Sequence, residues 1–158
     1  MKRKKFFSKV ISFVVCMSLL IGLNINASAL EMRASDTVSR GYSSTFHYSK
    51  SAISADQNIS VSDIPTAYKK VEFDVILKST MQFDRITGSY VSAETPTATL
   101  SYVGTVPLQM TNISTSKRDN GSSVTFSYSA DVVATVDTGY LVVKISYGKI
   151  SDSYTVNK

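Results

Sequence analysis

The sequence predicts an antiparallel β-sandwich, and three observations carry that expectation. Apolar and polar residues alternate with period two in several short runs, the spacing that turns one strand face to a core and the other to water. From Leu30 onward there are 14 Val, 8 Ile and 9 Tyr against only 5 Leu, which is strand composition. Turn-forming residues punctuate the runs at short, regular intervals. About seven to nine strands so spaced fit two packed sheets of immunoglobulin-like shape.

The chain opens differently. Met1–Lys9 carries Lys2, Arg3, Lys4, Lys5 and Lys9, and Val10–Leu23 is apolar apart from Ser12, Cys16, Ser18 and Gly22. Ala27-Ser28-Ala29 follows, with Ala27 and Ala29 at the −3 and −1 positions that signal peptidase requires to be small. Residues 1–29 are therefore expected to be a cleavable helical signal peptide. The apolar run is about 14 residues, against the roughly 20 that span a bilayer, so no stable membrane anchor is expected after cleavage. Acylation at Cys16 is disfavoured because Val14 and Val15 precede it where a small residue should stand. The densely basic start points to export from a Gram-positive bacterium and to an extracellular location.

Removing the leader changes what the composition means. The whole chain has a formal charge of +5, but five of its 17 Lys and Arg lie in the leader and all 12 Asp and Glu lie after it. Twelve cations then face twelve anions, which excludes a basic nucleic-acid binder. Cys16 is the single cysteine, so the segment after it can form no disulfide and offers no thiolate nucleophile or metal ligand. Stability must come from the core of one domain, expected over 41–158 behind a flexible N-terminal arm at 30–40.

The strands follow in order. Weak alternation marks Tyr42–Tyr48 and Gln57–Ser62. In Lys70–Lys78, Val71, Phe73, Val75 and Leu77 share one face while Glu72, Asp74 and Lys78 share the other. Gly88–Ala93, Thr97–Val103 and Val106–Ser114 are short runs. Val124, Phe126 and Tyr128 alternate with serines and a threonine, and Ala130–Thr135 continues nearby. Leu141–Tyr147 is apolar on both faces, which suits a central strand, and Ser151–Val156 closes the chain. Asp119-Asn120-Gly121 is a hairpin signal with Asn-Gly expected at the turn centre. Asp137-Thr138-Gly139 and Tyr147-Gly148-Lys149 mark two further reversals. The last four strands, about 106–156, should form a meander. No run after the leader has helical period over ten residues.

Candidate chemistry is sparse. His47 is the single histidine, and it could serve a Ser-His-Asp hydrolase, although no Gly-x-Ser-x-Gly elbow is present. Its position between Phe46 and Tyr48 reads more simply as an exposed strand residue. Glu72 and Asp74 stand about 7 Å apart on one strand face, a spacing open to a shared cation or an acid–base pair, or simply to a solvated surface. Thr95, Thr97, Thr99 and Ser101 form a short hydroxyl row. Tyr90, Tyr102 and Tyr140 are the tyrosines expected to face a ligand, since a tyrosine presents a flat apolar ring with a polar tip. Asn58, Asn112 and Asn120 begin Asn-x-Ser sequons. No phosphate loop, dinucleotide fingerprint or cofactor motif appears, so no cofactor or metal is expected.

These features support a secreted, non-catalytic binding module whose partner is an extracellular protein, a wall glycan or a second copy of the chain. A bacteriocin-like or toxin-like effector is the alternative, and a small hydrolase using His47 or the Glu72/Asp74 pair ranks below it.

Overall fold

The computed structural model describes residues 36–56, 59–137 and 142–158. The leader with Ala27 and Ala29, the arm as far as residue 35, and Tyr140 lie outside the described residues. Among the described residues there are eight strands: β1 (Thr37–Ser51), β2 (Ser54–Ala55), β3 (Lys70–Asp84), β4 (Tyr90–Ala93), β5 (Thr97–Ser101), β6 (Leu108–Asp119), β7 (Ser123–Asp137) and β8 (Val142–Asn157). A single 3-10 turn at Val61–Asp63 and one helical turn, α1 (Thr66–Lys69), make up the described helix.

The strands form two antiparallel sheets. In the first, β3 pairs with β1 on one side and with both β4 and β5 on the other, so β4 and β5 act as one edge interrupted around Pro96. Proline lacks the ladder donor and is tolerated at such an interruption. In the second sheet the order is β2-β8-β7-β6, and β6 to β8 form a meander of three long strands rather than the expected four.

Burial follows the alternation. Val71, Phe73, Val75, Leu77, Met81 and Phe83 of β3 are buried, and so are Val124, Phe126, Tyr128, Ala130, Val132 and Ala134 of β7. With Val143, Ile145, Tyr147 and Ile150 of β8 they form one cluster shared by both sheets. Truncating a side chain such as Phe126, which is fully buried, costs about 3–5 kcal/mol because a void replaces close contacts. Polar groups also join the sheets. Among the described residues Ser79 is the one buried polar residue of the core, and its hydroxyl lies 2.6 Å from that of Tyr154. The Lys117 ammonium donates to the Ala93 carbonyl, tying β6 to β4.

Several elements differ from expectation for local reasons. β1 begins at Thr37, so Thr37–Arg40, expected in the arm, pair with Met81–Asp84. The strand expected at Gln57–Ser62 is not formed over its described part. Ser60 instead caps the 3-10 turn by accepting from the Ser62 amide, and β2 falls earlier, at Ser54–Ala55. Tyr147-Gly148-Lys149 is not a reversal. It is a bulge inside β8, where Gly148 pairs with Val132, Ser146 pairs with Val133, and Tyr147 is the extra residue. Gly148 takes φ +81, the left-handed conformation such a bulge needs. The hairpin after β6 turns on Gly121-Ser122 rather than Asn120-Gly121. Gly121 alone has positive φ there, and the Asn120 amide donates to the Ser123 carbonyl. Positive φ at the first central residue only is the type II′ pattern.

Candidate functional site

Register assembles the site. The polar face of β3 presents Glu72 and Asp74 because their neighbours Val71, Phe73 and Val75 are committed to the core. Asp74 pairs with His47 of β1 on one side and with Ser101 of β5 on the other. Glu72 pairs with Ser49 of β1. His47, Glu72, Asp74 and Ser101, with Lys70, Val103 and Gly104, line an open cavity of about 350 Å³.

Each charge has a partner. His47 Nδ1–H donates to Asp74 Oδ1 at 2.8 Å. Lys70 Nζ donates to Glu72 Oε1 at 3.1 Å, and the Ser49 hydroxyl approaches the same oxygen at 3.5 Å. The bonded Lys70 ammonium holds the Glu72 carboxyl below the usual carboxylate range, with His47 and Ser49 acting in the same direction. The His47 and Asp74 side chains are 69% and 43% exposed, so this is a solvated surface and its ion pairs contribute little to stability.

The residues of the hydrolase reading lie together, His47 bonded to Asp74 and Glu72 beside them, but the register does not set Ser101 beside the imidazole. A Ser-His-Asp relay needs the imidazole between hydroxyl and carboxylate. Here the carboxylate stands in the middle. Ser101 and His47 lie on opposite sides of Asp74, two strand spacings or about 9.5 Å apart. Glu72 and Asp74 bond separate partners, Lys70 and His47 respectively. Among the described residues no three His, Asp or Glu side chains are grouped to hold a metal ion. The arrangement can present carboxylate acceptors, hydroxyls, the Lys70 ammonium and the His47 ring to a ligand lying along the strands.

Of the tyrosines expected to face a ligand, two are described and both are half-buried against the core. Tyr90 meets Phe83 edge-on, with ring centroids 6.2 Å apart, and Lys158 Nζ sits 4.1 Å over its ring. Tyr102 adjoins the cavity, but its ring folds over Gly104, where a Cβ would stand 1.8 Å from the phenolic oxygen. The sequence places Ser101 only in a hydroxyl row with Thr95, Thr97 and Thr99, and Lys70 is not singled out there. Lys70 is two residues from Glu72 on the same face and was legible. Ser101 joins the row only through the β3–β5 register, which a single sequence does not encode locally.

The sequons meet different fates. Asn58 lies outside the described residues. Asn112 has φ 50 in a bulge of β6, and its amide donates to Asp131 at 2.7 Å. Asn120 donates to Thr125 in the hairpin.

No family model, curated protein or solved structure matches the chain.

Proposed function

We propose that this chain is a secreted, non-catalytic binding module, built as a β-sandwich of immunoglobulin-like outline, that holds an extracellular ligand against the outer face of its first sheet. The observation that carries the reading is the cross-strand row His47–Asp74–Ser101 beside Ser49–Glu72. It is a continuous strip of acceptors and donors, centred on the interior strand β3, in the wrong order for a hydrolytic relay. Such a strip suits a hydroxyl-rich wall glycan, whose paired hydroxyls match carboxylate oxygens, ahead of a surface protein. The export leader and the cysteine-free segment after it agree with an extracellular setting.

The test is a pull-down with insoluble cell wall and purified polysaccharides, with the supernatant assayed for released sugars and peptides. Saturable binding that weakens at least tenfold in Asp74→Asn and Glu72→Gln, without product release, is expected. Product release, or binding indifferent to both substitutions, overturns the reading.

A further inference from the structure

Every sheet ends in strands whose outward backbone groups seek partners, and proteins commonly blunt them. Three of the edges here are blunted. The β4/β5 edge is interrupted around Pro96, and its Ala93 carbonyl is taken by Lys117. β6 carries the bulge at Asn112 and the charges Lys117 and Arg118. β8 is covered at Ile145–Ser146 by β2, bulged at Gly148, and carries Asp152 on its core-facing side.

β1 lacks the covering strand, the proline and the bulge, although it carries Arg40 and Lys50 on its core-facing side. It runs 15 residues without proline, and its register with β3 is unbroken. Its length is about 50 Å at strand rise. Its outward side chains are Thr37, Ser39, Gly41, Ser43, Thr45, His47, Ser49 and Ser51, none of them a carboxylate, Lys or Arg. Which backbone groups are free follows from the two ends. Asp36 O accepts from Arg85 N, and Ala52 N donates to Lys69 O. Even-numbered residues therefore bond β3, and the odd-numbered ones direct their N–H and C=O away from it. Among the described residues no strand pairs with that side.

We propose that a second copy of this chain occupies the edge, β1 pairing antiparallel with β1 about a two-fold axis at Ser44. Ser44 is the midpoint of the strand, so this register pairs all 15 residues. It sets Tyr42 opposite the partner's Phe46, and the reverse, as cross-strand aromatic pairs on the core-facing side. Both rings are only half-buried in one copy, so pairing also covers them. It sets Arg40 opposite Tyr48 and Lys50 opposite Val38. Moving the axis by one residue, to Thr45, would instead oppose Arg40 to Lys50 at both ends, and like charges directly opposed are destabilising. A C2 contact of this kind closes on itself and does not propagate into a fibre. The two sheets become one, and the two His47–Asp74 rows lie on its common outer face about 20 Å apart, six residues along the strand. This dimer does not depend on what that face binds.

The full chain is expressed in an exporting host and purified as that host releases it, and its mass in solution is measured by light scattering. Twice the chain mass is expected at micromolar concentration. Thr45→Pro removes an outward donor without touching the β3 ladder, so it should halve the mass and leave the circular dichroism unchanged. Ser44→Cys should give a disulfide-linked dimer on a non-reducing gel, because Cα atoms directly opposed at a non-bonded site lie about 4.5 Å apart, within disulfide reach. Ser43→Cys, which would face Thr45, should not. A monomeric wild type, or Ser44→Cys and Ser43→Cys linking equally, overturns the proposal even if glycan binding is found. An intact dimer without glycan binding sinks only the ligand reading.

Discussion

The hydroxyls of Tyr48 and Tyr128 meet at 2.5 Å, joining β1 of one sheet to β7 of the other. Tyr128 is 3% exposed, whereas Tyr48 is half-buried and also reaches Asp152 Oδ2 at 3.3 Å. Burial raises the pKa of both phenols. The two residues are unequal partners, and the inequality is measurable. Tyr128→Phe leaves Tyr48 its contact with Asp152 and should cost about 1 kcal/mol. Tyr48→Phe strands a buried hydroxyl and should cost about 1–3 kcal/mol. Urea unfolding of the two variants checks the order. Equal losses would show that the Asp152 contact is no substitute.

Gly148 should resist replacement through its backbone more than through its surroundings. A Cβ there would stand 2.6 Å from Ile53 Cδ1, but that atom ends a flexible, exposed side chain. The φ of +81 is the larger obstacle. Gly148→Ala should cost about 1–2 kcal/mol, and Gly148→Asn less, since Asn tolerates this conformation. Adding Ile53→Ala should recover little. A full rescue in the thermal melt would assign the cost to the clash.

Acid should loosen the C-terminus before it unfolds the domain. Lys158 Nζ bonds both oxygens of Asp119, at 2.6 and 2.7 Å. This contact, with the Gly121 amide, holds the Asp119 carboxyl below its usual range. A depressed folded value means the contribution is complete above the ordinary aspartate range and is lost as pH falls through the lowered one. Carboxyl NMR titration should find the Asp119 midpoint raised in Lys158→Met. An unmoved midpoint would place the cause elsewhere.

Base should attack the core from the other side. Burial, reinforced by Tyr102 and Tyr68, pushes the Tyr147 phenol up to about 12 from an ordinary 10.0, and its hydroxyl donates to the Tyr68 carbonyl at 2.9 Å. Because the folded value is raised, the contribution is whole below pH 10 and drains away as pH rises from there towards 12. Stability against urea should therefore decline above pH 10, less steeply in Tyr147→Phe. Tyrosinate absorbance rising well ahead of unfolding would contradict this.

The central strands were legible because burial there leaves one solution. Val71, Phe73, Val75 and Leu77 name their own face, and the structure continues the same parity through Met81 and Phe83. Sequence reading stopped at Lys78 because Ser79 interrupts the apolar series. Only the distant Tyr154 hydroxyl reveals why a serine is affordable in the core. The meander was likewise readable, but Gly148 passed for a turn, since a bulge and a reversal call on the same left-handed glycine. Of the site, His47, Glu72 and Asp74 could be singled out by residue type. Their grouping with Ser101 is a matter of register between strands up to 27 residues apart on either side of Asp74, which local pattern does not carry.

The bulge at Tyr147 also gives β8 two frames. Before it, odd positions face inward: Val143, Ile145 and Tyr147. After it, even ones do: Ile150, Asp152, Tyr154 and Val156. The strand is thus spliced from two messages offset by one letter, and Gly148 is the splice. Running the strand straight through, with no bulge to absorb the extra residue, would turn Ser151, Ser153 and Thr155 toward the core while expelling Ile150, Tyr154 and Val156 into water. The C-terminal third of the second sheet therefore depends for its sense on a residue with no side chain.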